Sequence, residues 1–273
     1  MAKYSEHPGA EASRMTLAAR MKSYEAANDI RLEPGAPAIL RLDGHGFSKF
    51  TSHFARPFDT RIHNAMVAAC GDLLGHFPAA TLAYTQSDEM TVVFPTGVGI
   101  FNDRVQKIVG LAAAFASVRF NLRLAAALDE QPHPPVRRAA DILGTAYFDG
   151  RLFAVPDAAE ALNCLLWRCR GDAVRNGVSA FARKLFSDAE LHGKNTGQVV
   201  SMMLEEKGVV YRDAVPSWAP EGSLVKRELY EVEGLNKATG EAELATRTRI
   251  KVADRGITAF SDENLKLVVD RYW

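Results

Sequence analysis

Two β-rich runs, residues 81–84 and 90–94, flank the polar stretch Gln86-Ser87-Asp88-Glu89. A break this short between β-rich runs signals a hairpin, though not one of the Asn-Gly type, and a hairpin pairs its strands antiparallel. The segments around it fix the layer. Residues 12–28 carry Met15, Ala18, Met21 and Tyr24 or Glu25 at helical spacing, so an amphipathic helix is expected. Pro34 and Pro37 break the chain before residues 38–42, an apolar run ending at Gly44 and Gly46 that suits a buried strand. Residues 58–77, between Pro57 and Pro78, and the Ala-rich residues 101–124 read as two more helices. Residues 131–135, with three prolines, read as a loop; 144–148 and 152–155, either side of Asp149-Gly150, read as a second strand pair. The order predicts an α+β fold in which helices back a sheet.

Beyond Pro156 the texture becomes helical. Asp157 is placed to cap a helix to about residue 170, and Asp172 the next to about 186. A short turn from Ser187 and Asp188 and a helix over 196–207 follow, then alternating runs at 227–232 and 246–252 joined by a turn at 236–240. No linker or repeat divides the chain. The expectation is one domain over 1–273, with a core at about 14–156 and a helical C-terminal half, about 157–273, that packs on it as an extension of helices and then strands.

Charge enters as a constraint on partners. The 273 residues hold 33 Lys and Arg against 33 Asp and Glu, a net charge of zero. That removes the simplest argument for a polyanion partner without excluding a local basic surface. Cys70, Cys164 and Cys169 form no C-x-x-C array, which argues against a disulfide framework or zinc site and fits a reducing cytoplasm. No apolar signal-peptide core occupies residues 1–14, and the most apolar stretch, 111–116, is expected to be too short to span a bilayer, so no membrane partner is expected.

Asp43 ends an apolar strand and Asp88 sits in the hairpin. If the strands are neighbours, both carboxylates emerge at one strand end. Two carboxylates, completed by waters and substrate phosphates, form the donor set Mg²⁺ takes, and a pair of such ions would activate a hydroxyl and stabilise a leaving pyrophosphate. Gly44 lets phosphate or metal approach the backbone. Asp-Gly after a strand is also a common turn, and an acidic hairpin tip is commonly solvated.

The combination of segments is more specific than either acid. Arg41-Leu42-Asp43-Gly44-His45-Gly46-Phe47, Phe50-Thr51, Arg56-Pro57-Phe58-Asp59 and Tyr84-Thr85-Gln86-Ser87-Asp88-Glu89 occur in that order, followed by Phe148-Asp149-Gly150-Arg151, Trp167-Arg168, Arg175-Asn176, Leu191-His192-Gly193-Lys194 and Glu206-Lys207-Gly208. Over roughly residues 14–230 the chain resembles the histidine-tRNA guanylyltransferase family, in its bacterial and archaeal guanylyltransferase-like branch. The resemblance implies a palm-like antiparallel sheet shared with polymerases and nucleotide cyclases. It implies addition of nucleotides to tRNA 5′ ends in the 3′-to-5′ direction, as guanylate addition or 5′-end repair, after the 5′-phosphate is activated with ATP or GTP. It also implies a homo-oligomer, commonly a tetramer.

By that resemblance two Mg²⁺ ions fall on Asp43, the Gly44 carbonyl and Asp88. Glu89 is either a direct ligand or a partner of a metal-bound water. Nucleotide and phosphate contacts fall on Gly44, His45, Gly46, Phe47, Arg56, Ser87 and Lys194, and RNA contacts on Arg175 and Asn176. Residues 163–194 hold six Lys and Arg against three acids, a local basic footprint; Arg183 and Lys184 read as a solvated helix face. Two departures matter. His45 replaces the family's usual Arg, and Ala173-Val174-Arg175-Asn176 stands where the eukaryotic branch has His-x-Asn-Asn, which argues against strict recognition of the histidine anticodon. Two rivals stay open: a small-molecule enzyme on the same palm, such as a nucleotide cyclase, and an idle RNA-binding module.

Overall fold

The protein is described by a computed structural model covering residues 15–130, 141–235 and 242–273. Six strands form one antiparallel sheet: β1 (Ala38–Gly44), β2 (Leu82–Gln86), β3 (Glu89–Phe94), β4 (Phe148–Ala154), β5 (Ser223–Leu235) and β6 (Ala242–Ala253), in the order β4-β1-β3-β2-β5-β6. Alternation along each strand decides which side chains each face receives. Leu40, Leu42, Met90 and Val92 point to the face covered by α3 (Thr60–His76) and α4 (Val105–Glu130). Ile39, Val93, Leu82 and Tyr84 point to the other, where α5 (Ala158–Trp167) and α10 (Asp262–Val269) pack. Burying one such large side chain contributes about 1.5–3 kcal/mol, so the sheet is specified from both sides.

The hairpin forms where expected, closed by a two-residue turn in which Ser87 takes a left-handed conformation (φ 56°). Asp157 caps α5 as expected by accepting from the Glu160 N–H. Asn195 caps α8 (Thr196–Lys207) through a reciprocal pair with Gln198.

Two expectations need correction. Residues 144–155 do not form a strand pair: β4 runs straight through Asp149-Gly150. The reason is tertiary, since Gly150 lies opposite Leu42 in the register and a Cβ there would stand 2.6 Å from the Leu42 side chain. Asp172 caps nothing. The helix continues from α5 through a π-helical turn (Arg168–Ala173) into α6 (Val174–Ala182), with Asp172 inside it. The alternating runs at 227–232 and 246–252 form strands as expected: beyond α9 (Tyr211–Ala214), β5 and β6 extend the same sheet.

Two fully or nearly buried cations explain how β5 is anchored. Lys226 donates to the carbonyls of Thr81, Leu267 and Asp270, and Arg227 to those of Leu74, Phe77 and Ala80. They thereby satisfy carbonyls left over at the ends of α10 and α3.

Two helices differ from the sequence pattern. α1 (Leu17–Ala26), capped by Thr16, buries none of its residues. α4, which contains the apolar residues 111–116, is long and apolar enough to cross a membrane by length and composition alone. Its row Ile108, Ala112, Ala116, Phe120, Leu124 and Leu128 is nonetheless buried in the core. The expected loop at 131–135 and the turn at 236–240 lie outside the described residues.

Candidate active site

The sheet register assembles the acidic centre. Asp43, at the end of β1, lies directly opposite Glu89 on β3 and Asp149 on β4. Directly opposed residues share a face. The Gly44 N–H donates to the Asp88 carbonyl at 2.9 Å, which fixes the Ser87-Asp88 turn against the end of β1. Gly44 cannot carry a side chain, because a Cβ would sit 2.3 Å from the Phe47 ring. Burial raises the Asp88 carboxyl above its ordinary range, and the Asp43 charge pushes in the same direction against the Ser87 hydroxyl. Burial also raises Glu89, opposed by Arg168 and Arg41. Closely spaced carboxylates that resist ionising beside each other are a donor set that a divalent cation would relieve.

Among the described residues no group of three or more His, Cys, Asp or Glu is arranged to hold a metal ion. A hard cation here would draw on Asp43, Asp88 and a carbonyl, with substrate oxygens and water completing its shell, which is the manner of Mg²⁺. Glu89 is spoken for in part. Its Oε2 pairs with Arg168, while Oε1 is buried without a hydrogen-bond partner.

Beside the acids opens a cleft of about 510 Å³. The hairpin tip, α2 (Phe47–Phe50), the loop into α3, α6 and Trp218 line it. Of the residues singled out in the sequence, Phe47, Arg56, Ser87, Asp88 and Asn176 line this cleft; Asp43, Gly44, His45, Gly46, Glu89, Arg175 and Lys194 do not. The Phe47 ring is committed to the core, against Phe50, Phe120 and Phe148. His45 stacks on Tyr147, with ring centroids 5.0 Å apart, and its backbone N–H donates to the Tyr147 carbonyl. Gly46 turns the chain with φ 66°. Arg183 and Lys184, read as a solvated face, are exposed and also line the cleft, adding two cations to Arg56.

Sequence reasoning passed over other residues. Asp149 was hidden by the supposed turn; reading β4 as one strand places it in the acid row. Asp59 holds the loop that carries Arg56: it accepts from Ala55 N–H and Arg61 N–H, each at 2.9 Å, and pairs with the Arg61 guanidinium. His63 lies flat on Trp218, with centroids 4.0 Å apart and planes 3° apart, and approaches Ser223 and Asp254.

Burial lowers the His63 pKa to about 4, with Asp254 pulling weakly the other way. As pH falls below the ordinary histidine value of about 6.5, the unfolded chain takes up a proton that the folded protein resists, so stability falls until about pH 4. The accumulated loss is about 3 kcal/mol at 1.36 kcal/mol per unit. His63→Phe, which can keep the stack on Trp218, is expected to flatten that limb. Urea unfolding of both proteins at pH 7, 6 and 5 checks this, and equal slopes would count against the assignment.

Residues 18–156, just over half of the chain, match the family described as tRNAHis guanylyltransferase. The tRNA(His) guanylyltransferase of Debaryomyces hansenii is 26% identical over 93% of this chain and 94% of its own length. A bacterial tRNA(His) guanylyltransferase-like protein in complex with ATP superposes with a TM-score of 0.70 at 28% identity, covering 89% of this chain and 94% of that one. One in complex with GTP gives 0.67 at 25% identity, covering 93% and 99%. An antiparallel sheet backed by helices, the order of the motifs along it and a family match across the acid-bearing strands all lead to one conclusion: the chain belongs to the tRNAHis guanylyltransferase family of nucleotidyltransferases.

Proposed function

We propose that the protein adds nucleotides in the 3′-to-5′ direction to the 5′ end of tRNA, by end repair or guanylate addition, after activating the 5′-phosphate with ATP or GTP. The observation that carries this reading is the position of Asp88, which belongs to the acidic centre through the Gly44 contact and at the same time lines a cleft bearing Arg56, Arg183 and Lys184. A carboxylate pair and a cationic cleft in contact suit phosphoryl transfer, where catalysis is mostly positioning and electrostatic stabilisation.

In this reading Asp43, Asp88 and the Gly44 carbonyl hold Mg²⁺, two ions in the full site. Bound there, Mg²⁺ neutralises phosphate charge and favours the hydroxyl as nucleophile. The chain's own groups do the rest. Arg56 and Ser87 bind triphosphate oxygens, joined by Arg183 and Lys184. Lys194, Arg175 and Asn176 meet RNA from the helical side, with Arg175 62% exposed in its side chain. His45 and the backbone of Gly46 and Phe47 border the same region. The incoming nucleotide's 3′-oxygen displaces the activating group from the 5′-phosphate, while these cations keep the phosphate in line.

A chain of zero net charge makes RNA binding modest for each subunit and sensitive to salt. Assembly of copies, as a tetramer, would multiply it. Three free cysteines suit a cytoplasmic setting. The chain is taken to work as one unit, since β5 continues the sheet of the acid-bearing strands.

The test is to incubate 5′-labelled full-length and 5′-truncated tRNAs with each NTP, with and without Mg²⁺, and resolve single-nucleotide growth. Growth that needs Mg²⁺ and RNA supports the reading. Turnover of ATP or GTP without RNA would replace it with a small-molecule enzyme on the same fold.

A further inference from the structure

The π-helical turn between α5 and α6 has no part in the reading above, yet it touches the acidic hairpin twice. Arg168, at its start, pairs with Glu89 on β3. At its end, the Ala173 carbonyl accepts from Gln86 Nε2 on β2 at 3.4 Å. Gln86 and Glu89 are cross-strand partners that bracket the Ser87-Asp88 turn. One side of the turn that carries Asp88 is therefore tied to the first residue of the π turn, and the other side to its last.

The same arginine also faces the other way. Its guanidinium bridges to Asp172, whose second oxygen pairs with Arg175. The result is a row, Glu89–Arg168–Asp172–Arg175, that runs from the acidic centre to a cation on α6. The first three side chains are only about one-sixth exposed, so water screens them weakly, whereas Arg175 is open to solvent. The Trp167 ring supports the row, with the Arg168 guanidinium 5.0 Å and that of Arg41 5.9 Å from its centroid. A π turn adds a residue to the helical repeat, is rare, and occurs mostly at functional sites. Here it sets Arg168 and Ala173 against the two sides of one hairpin.

We propose that Arg168 is a positioning residue for nucleotidyl transfer. It holds Glu89 and Asp172 at a fixed spacing, so that the Ser87-Asp88 turn and Arg175 keep one relative placement. This rests on the function proposed above. A lysine in its place supplies one point charge and can hold only one carboxylate well, whereas the planar fork holds two. Without the arginine, Glu89 is a part-buried carboxylate with neither oxygen paired, free to turn toward Asp43.

The test uses the full-length protein with Arg168→Met, Arg168→Lys, Glu89→Gln and the Arg168→Met/Glu89→Gln double variant. On 5′-truncated tRNA, Arg168→Met is expected to lower kcat by about 10²-fold, the scale on which small misplacements act, with KM for the NTP nearly unchanged. Arg168→Lys should recover part of that loss, and the double variant should be no worse than Arg168→Met, because both changes break one contact. In Mg²⁺-free buffer, Arg168→Met should also weaken tRNA binding about threefold by fluorescence anisotropy, through the loosened Arg175. Wild-type extension in the same assay reports separately on the proposed function. Three results would overturn the positioning role: wild-type kcat in Arg168→Met, multiplicative effects in the double variant, or equal losses in the Met and Lys variants that follow their melting temperatures.

Discussion

Asp88→Ala is expected to lower nucleotide addition by at least about 10³-fold while leaving the protein folded, the upper end of what removing one electrostatic element costs an enzyme. The physical reason for the first half is that Asp88 is the acid that both adjoins Asp43 and lines the cleft. Its loss leaves the acid at the end of β1 without its partner. The second half follows from the same burial. Burial and the neighbouring Asp43 hold the Asp88 carboxyl above its ordinary range, so the ionised group at neutral pH costs the fold stability. Removing it should leave the melting temperature unchanged or slightly raised. The hairpin does not depend on the side chain, since Gly44 bonds to the Asp88 backbone carbonyl. Asp88→Asn, of the same shape without the charge, should be nearly as inactive. The 5′-labelled tRNA assay together with thermal melting checks both halves, and near-wild-type extension by either variant would remove Asp88 from the site.

What could be read in the sequence was local. The hairpin around Ser87-Asp88, the strand ending at Asp43, the cap at Asp157 and the helix over 196–207 all follow from turn chemistry and periodicity within a few residues. The errors arose where a distant partner decides. Asp149-Gly150 looks like a turn, and only Leu42 packed against Gly150 explains why the strand continues. Asp172 looks like a cap, and only Arg168 and Arg175 show that its carboxylate is used inside the helix. Arg183 and Lys184 are exposed, as a solvated face should be; that they also line the cleft follows from where the helix packs, about which helical spacing carries no information. The balanced net charge is uninformative for the same reason, since the whole-chain sum averages an acid row on the sheet with the basic segment at 163–194. Motif order, by contrast, pointed to the family without any contact, and the segments 41–47 and 84–89 then meet where Asp43 opposes Glu89 and Gly44 bonds to Asp88.

The largest loss of stability is expected at Asp59, a residue the sequence offered only as part of a motif. Asp59→Ala should cost about 4 kcal/mol in urea unfolding at pH 7, within the range for breaking a buried ion pair from one side. Three roles end together. The carboxylate caps α3 by accepting from Arg61 N–H, and a lost cap alone costs about 1 kcal/mol. It accepts from Ala55 N–H, which closes the loop that presents Arg56 to the cleft. It also takes both Nε and Nη2 of Arg61, whose side chain is as buried as its own. Burial alone would raise the Asp59 pKa, but these hydrogen bonds, Arg61 first, outweigh it and lower the value. A lowered folded value means that the stabilisation is present above the ordinary carboxylate range and is lost as pH falls through the folded pKa. The variant should therefore be less stable than wild type at neutral pH and lose less on acidification. Asp59→Asn keeps an oxygen for the cap and loses the charge, so it should fall between the two. The loop supplies the functional readout: where the variant is still folded, release of the 55–59 segment should raise KM for the NTP more than it lowers kcat, because Arg56 binds phosphate and performs no chemistry. A cost below about 1 kcal/mol, the ordinary surface-pair range, would show that the Asp59–Arg61 pair does not hold this side of the cleft.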